Sequence, residues 1–290
     1  MRTQAKEVRA LSHLTFESDF SLLIEPSRGR AELGLRELWK YRELLYFLVW
    51  RNLKVRYKQT FFGAAWALFQ PLVSAIIFTL IFSILARIPS EGIPYPIFSL
   101  AALLPWTYFS RALERASRSV VESAHLITKV YFPRLIIPLS EVLSGLVDLA
   151  IGFIPLVALM VYYGINPTVG LVLLPFFVLL SSITAFGVSL WLSALDVYYR
   201  DVRYVVPFLI QIWMYATPII YPLRMVPERF RWILGLNPMV GVVEGFRWAL
   251  LGHAYNPDLS IVASVLVAVL LCAGGMIFFR RMGDTFADVV

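Results

Sequence analysis

Two carboxylates, Glu141 and Asp148, interrupt the apolar run 135–162. Seven residues apart, they fall on one face of a helix. An ionisable group enclosed by apolar side chains can take up and release a proton or cation, which is the chemistry of an ion-coupled carrier. The plainer reading is that Asp148, the deeper of the two, forms a buried hydrogen bond or ion pair at a helix interface. Two acids on one helix do not make a relay, and no pair of matched, broken apolar runs recurs in both halves of the chain. The plainer reading is preferred.

Other reactive residues are sparse. Cys272 is the single cysteine, which excludes an internal disulfide or a thiolate metal cage. His13, His125 and His253 lie far apart in sequence. No GxxxxGK[ST] loop, GxSxG elbow or HExxH pair occurs, so the expectation is no metal site, no ATP bound through a Walker motif and no catalytic centre in this chain. Aromatics make up 15% of the residues. Trp66, Phe69, Phe78 and Phe82 in one apolar run, and Phe208, Trp213 and Tyr215 in another, could line a pore that passes sugars. Flat rings stack on the C–H faces of pyranoses while Trp N–H and Tyr O–H offer polar handles. Packing or lipid contact explains most such rings equally well.

The elements that must position these residues follow from composition. Of the 290 residues, 59% are hydrophobic and 16% charged, a membrane-protein balance. The net charge of +7 finds a topological use near membrane segments, and little contiguous polar chain remains for a nucleic-acid groove. The charged N-terminus lacks the apolar core of a signal peptide. Apolar segments of about 20 residues, enough for a ~30 Å hydrocarbon core, occur near 63–86, 97–118, 135–162, 169–195, 204–222 and 259–279. The second is the least clean, because Arg111, Glu114, Arg115 and Arg118 crowd its end; it is expected to leave the lipid near Arg111 and continue as a helix. If both termini lie on one side, only Arg87, Arg224, Arg229, Arg231 and Arg247 of the 26 basic residues fall on the other. The positive-inside rule then makes both termini cytoplasmic.

Three segments need separate readings. In 37–60, apolar Leu44, Leu45, Phe47, Leu48 and Val49 alternate in blocks with Arg42, Arg51, Lys54, Arg56 and Lys58, the pattern of an amphipathic helix in the interface. In 226–253, Pro227 can open a short helix that ends near Gly235, and Asn237-Pro238 gives the N-cap and first-turn proline of another, ending near Gly252. Both are too short to span, but suit a re-entrant pair on the outer side, where Glu244 and Arg247 share a face. In "DVYYRDVR", 196–203, a helical turn would pair Asp196 with Arg200. In the apolar run after it, Pro207 and Pro218 are expected to bend the helix near both ends, and Gln211 offers an uncharged polar group for a pore wall.

Four stretches, in order, then carry a resemblance: "RELWKYRELLYFLVWRNLKVRYKQTFFGAAWALFQPL" (36–72), "KVYFPRLIIPLSEVLSGLVD" (129–148), "DVYYRDVRYVVPFLIQIWMYATPIIYP" (196–222) and "NPMVGVVEGFRWALLG" (237–252). Together they resemble the membrane subunit of ABC-2-type exporters, in the branch that moves O-antigen, teichoic acid and capsular polysaccharide. The likeness covers about 35–285, and "IEPSRGR" (24–30) resembles the leader of such permeases. It implies an all-α integral membrane protein with six spans, an interface helix and re-entrant outer helices. It further implies a homodimeric pore with two copies of a separate ATPase docked beneath, so that ATP and Mg would be bound by the partner. The cytoplasmic connection 120–134, with Leu126, Ile127, Val130, Tyr131 and Phe132, would dock in a cleft of that ATPase.

The resulting expectation is a cytoplasmic extension over 1–35, an interface helix over 36–62 and a six-span domain over 63–290, in a bacterial inner membrane. The chain would be the pore subunit of an ATP-driven exporter of a lipid-linked polysaccharide such as O-antigen. Residues 226–252 would gate it outside, with Trp232, Asn237, Pro238, Glu244 and Arg247 as gate candidates. Arg51, Lys54, Arg56 and Lys58 are candidates for the substrate's pyrophosphate or for lipid headgroups. An ABC-2 permease for drugs or small lipids, and an ion-coupled secondary transporter, are the alternatives.

Overall fold

The computed structural model describes residues 35–58, 63–166, 168–252, 259–283 and 286, and every regular element among them is helical. The expected extension over 1–35, apart from Leu35, lies outside the described residues, as do His13, His253 and positions 59–62 of the expected interface helix.

Two helices, α1 (Leu35–Lys40) and α2 (Arg42–Lys58), stand where one interface helix was expected. α2 also lacks a single apolar stripe. Leu48 is buried with Leu44 and Leu45 against the same cluster, whereas Tyr46, Phe47 and Trp50 point outward. The cause is local: apolar residues run consecutively from Leu44 to Trp50, so they wrap the helix instead of recurring every three or four positions.

α3 (Gly63–Phe78) continues as a π-helical segment, Thr79–Leu85. Then come α4 (Tyr95–Glu122), the single turn α5 (Ala124–Ile127), α6 (Ile136–Tyr163), and a 3-10 turn at Val169–Leu173 that leads into α7 (Leu174–Tyr198). α8 (Val202–Tyr215), α9 (Glu228–Gly235), α10 (Pro238–Leu251) and α11 (Leu259–Gly283) complete the order.

Among the described residues, four helical segments are long and apolar enough to cross a membrane: Leu68–Leu85, Ile136–Tyr163, Val169–Tyr198 and Ile261–Gly283. α4 has the length, 28 residues or ~42 Å, but carries the four charges noted above. α8 has only 14 residues, ~21 Å, which is short of a ~30 Å core. The apolar run 204–222 is therefore not one helix. Pro218 disfavours helical backbone at Thr217 before it and supplies no N–H, and α8 stops at Tyr215.

α4 is the central helix. It packs on α6 and α7, and also on α3, α8 and α10, and it buries Leu100, Ala101, Ala102, Phe109, Ala112 and Ala116. Its modest hydropathy fits that position, since protein rather than lipid surrounds it. α7 packs against both α4 and α11. The α7–α11 approach is close: a Cβ at Gly187 would lie 2.7 Å from the Cys272 backbone, and Trp191 Nε1 donates to the Leu271 carbonyl at 3.1 Å. Small residues allow such contact where lipid removes the hydrophobic drive between helices. A second cluster, including Leu48, Val120, Ile127, Phe132, Ile136, Leu190 and Phe279, joins α2 to one end of this bundle.

Candidate functional site

Polar chemistry concentrates at the two ends of α4. At the end nearer α2, Asp148 of α6 gathers donors from two other helices. Arg56 Nη1 reaches Oδ2 at 2.5 Å, Arg115 Nη2 reaches the same oxygen at 3.2 Å, and the Tyr57 hydroxyl donates to Oδ1. Arg56 Nη2 also donates to Ser144 Oγ at 3.1 Å and lies 3.9 Å from Glu141 Oε2. Asn52 Nδ2 donates to Ser140 Oγ at 3.2 Å, so α2 is fastened along α6 at several points. Burial, reinforced by the bond to Asp148, pushes the Tyr57 phenol up to about 12. Glu141 and Asp148 do share a face of α6, and Arg56 contacts both. The arrangement is an ion-paired helix junction, the plainer of the two readings of these acids.

At the other end, α10 begins as its sequence dictates: Asn237 Oδ1 accepts from Met239 N at 3.0 Å, Pro238 follows, and Gly252 closes the helix at φ +68°. Glu244 and Arg247 are buried and pair at 2.9 Å. Arg247 Nη1 donates to the Pro218 carbonyl at 2.6 Å and Nη2 to the Ile219 carbonyl at 2.7 Å, while its guanidinium carbon lies 3.7 Å from the Phe98 ring centroid. Asn237 Nδ2 donates to Thr217 Oγ1 at 3.0 Å and to the Ala216 carbonyl at 3.3 Å. Asn237 and Arg247 thus satisfy the backbone that the early stop of α8 leaves open. Buried irregular chain requires such partners.

The connection between α7 and α8 departs from expectation. Asp196 accepts from Arg203 Nε at 3.0 Å, not from Arg200. Tyr199 is extended (φ −126°, ψ 100°), so the helical register ends before Arg200 and the fold brings Arg203 back instead. Arg118 Nη2 donates to the Arg203 carbonyl at 3.3 Å, which ties this connection to α4.

This order of elements, with short helices α9 and α10 before a last span, accompanies a family match: residues 43–251 match the ABC-2 type transporter model. The chain belongs to the ABC-2 type transporter family. It is 30% identical over 259 residues to the O-antigen export system permease protein RfbA of Myxococcus xanthus, covering 88% of this chain and 98% of that one. An RfbA of Klebsiella pneumoniae is 32% identical over 250 residues, covering 86% and 95%. The polysialic acid transport protein KpsM of Escherichia coli is 22% identical over 238 residues, covering 79% and 90%.

Within this ABC-2 chain the residues expected to form sites are placed as follows. The Trp66 side chain lies outside the described residues. Phe69, Phe208, Gln211 and Tyr215 lie on outward faces of α3 and α8, and Phe78 packs edge-on against Phe82 at 5.4 Å. Trp213 turns inward, donating to Asn237 Oδ1 at 2.8 Å and packing on Phe109 at 5.0 Å. Of the basic candidates, Lys54 and Lys58 are exposed and Arg51 is bonded to Asn52, whereas Arg56 is drawn into the junction with Asp148. The segment 126–132 divides: Ile127 and Phe132 are core residues, Leu126 packs on the same cluster, and Tyr131, at 85% exposure, and Val130 project outward. Ile127 and Phe132 face inward because they pack in the cluster that holds Leu48 of α2 and Ile136 of α6, which leaves Val130 and Tyr131 as the exposed residues of the five. Trp232 on α9 is exposed, while Pro238, Glu244 and Arg247 are buried.

Sequence reasoning found the Glu244–Arg247 pair and a polar partner for Asp148. It missed Arg56 and Tyr57 as that partner, because they lie more than ninety positions away, on a helix read as facing headgroups. It also missed the arginine-to-carbonyl bonds at Pro218 and Ile219. The proline that stops α8 was the available signal.

Proposed function

We propose that this chain is the membrane subunit of an ATP-driven exporter of a lipid-linked polysaccharide, O-antigen or a similar polymer. The observation that carries the reading is the near full-length similarity to proteins named O-antigen export permeases, supported by the weaker match to a polysialic acid transport protein. In this reading α4 and the α8 segment complete six passes in a bacterial inner membrane, with both termini cytoplasmic, and α9 and α10 form a re-entrant pair on the outer side. Two copies enclose the pore, with the outward aromatics of α3 and α8 toward the second copy. Two copies of a separate ATPase, which bind ATP and Mg, dock at Val130, Tyr131 and the nearby loop. Closure of the ATPase pair would press on this segment and on α2.

The test is export of a lipid-linked glycan by the chain reconstituted with its ATPase in proteoliposomes. Transport should require ATP and continue after proton and sodium gradients are collapsed. Transport that follows the gradient, or turnover of a small drug with no effect of the glycan, would replace this reading.

A further inference from the structure

α3 changes its winding at Thr79. Thr79–Leu85 is π-wound, Ala86 N donates to the Ile81 carbonyl five residues back at 2.9 Å, and Ile88 N reaches the Phe82 carbonyl six back at 2.8 Å. Such winding is rare, is found mostly as single turns, and is frequent at functional sites. The sequence TLIFSIL holds no proline or glycine to impose it, and Pro71 lies more than two turns earlier. The same residues are therefore open to α winding.

The outward face separates the two windings. An α-helix advances ~100° per residue, so from the middle of the exposed pair Ile76–Ile77, Ile84 would stand ~30° round and Leu85 ~130°, toward the bundle. Instead Leu85 is 77% exposed and Ile84 62%. Turns closed by i→i+5 bonds hold more than four residues, which keeps Leu80–Ile81 and Ile84–Leu85 on the side of Ile76–Ile77.

This winding ends in strain. Arg87 (φ +52°) and Glu91 (φ +56°) are non-glycine residues in the left-handed region, a conformation that persists only where its surroundings impose it. The near end of the segment is held by Thr79 Oγ1, which donates to the Ala75 carbonyl at 2.7 Å. The far end is held by the Glu91–Arg224 ion pair at 3.6 Å, solvent-screened and therefore weak. Little protein packs on the run between: only 11% of Leu68–Leu85 is buried, so rewinding breaks few contacts. At a fixed pitch, fewer residues per turn mean a greater rise, so α winding would lengthen the seven residues by about 1 Å or more. That motion would reach the loop carrying Arg87 and Glu91. Glu91 grips Arg224, and the Tyr95 hydroxyl, just past the loop, donates to the Ile220 carbonyl at 2.8 Å. Both contacts fall on the chain that follows the stop of α8.

We propose that Thr79–Leu85 is a two-state winding element. It is π-wound with a strained 87–92 loop in the structure described, and α-wound with that loop relaxed in a second state. Glu91 carries the change to Arg224. The switch goes beyond the export reading and does not rest on it.

The test places a nitroxide at Ile84→Cys or Leu85→Cys in the full-length chain carrying Cys272→Ala, reconstituted in lipid nanodiscs. Oxygen accessibility is read by power-saturation EPR. Wild type should give a Leu85-to-Ile84 accessibility ratio above one. Arg87→Val resists a positive φ and should lower the ratio at least about twofold. Arg87→Gly takes φ +52° without strain and should raise the ratio above wild type. A wild-type ratio below one overturns the π-wound state. A wild-type ratio that Arg87→Gly does not change shows a single winding and overturns the switch, whether or not Arg87→Val folds.

Discussion

Arg56 of α2 and Asp148 of α6 meet at 2.5 Å although ninety-two positions separate them. This contact joins α2 to α6, a helix long and apolar enough to cross a membrane. A lone carboxylate in an apolar run is a functional candidate by default; here its three donors make it an anchor. Any displacement of α2 would pull directly on α6, so the same bond that fixes the fold can transmit force applied from the polar side.

Removing one partner of that pair should therefore loosen α2 without abolishing insertion. Asp148→Leu strands Arg56 and Arg115 and should cost about 2–4 kcal/mol, below the full range for a wholly buried pair because Arg56 is 19% exposed. Asp148→Asn keeps an acceptor for Tyr57 and should cost less. Limited proteolysis of the α2 region in detergent reads the difference. Under the ion-coupled alternative, Asp148→Asn would instead change the dependence of transport on proton gradient.

Tyr57 gives the junction an alkaline limit. Its folded pKa, about 12, exceeds the ordinary phenol value of 10.0, so the folded state holds the proton more tightly than the unfolded one. The contribution is constant below about pH 10 and is lost as pH rises through 10 to 12. The α2 contact should weaken across that window in wild type, and Tyr57→Phe should lack this component. Tryptophan fluorescence of the detergent-solubilised chain, titrated from pH 9 to 12, separates the two.

The Arg247 clamp on the end of α8 predicts a larger penalty. Arg247→Met leaves Glu244 buried without its partner and withdraws donors from the Pro218 and Ile219 carbonyls. A loss of about 3–5 kcal/mol is expected, typical of breaking a buried pair. Glu244→Gln retains a hydrogen-bond acceptor and should cost less than half as much. Thermal unfolding in detergent measures both, and a nearly neutral Arg247→Met would mean that the α8 break needs no clamp.

What the sequence made legible was what is local. Asn237-Pro238 and Gly252 bound α10 because capping is a property of a few adjacent residues, and the apolar stretches located four crossing segments because hydropathy is additive along the chain. Pairings across a break were not legible. Asp196 looked set for Arg200 because four-residue spacing assumes continuous helix, and the extended Tyr199 cancels that assumption. Likewise, composition could not show which sides of 126–132 are covered, since burial depends on α2 and α6 arriving from elsewhere.

That last segment supplies a test with opposite outcomes from adjacent residues. Tyr131 is 85% exposed, and replacing it with Glu changes only the outer surface. Tyr131→Glu should fold with an unchanged melting temperature yet fail to co-purify with the ATPase. Ile127 is 7% exposed within the cluster that holds Phe132, Leu48 and Phe279. Ile127→Glu buries an unpaired charge and should lower stability by several kcal/mol. Both variants would lose the partner, but only Ile127→Glu should lose the fold as well. If Tyr131→Glu retains the ATPase at wild-type levels, the docking surface lies elsewhere, and the exposed connection around Tyr199 and Arg200 becomes the next face to alter.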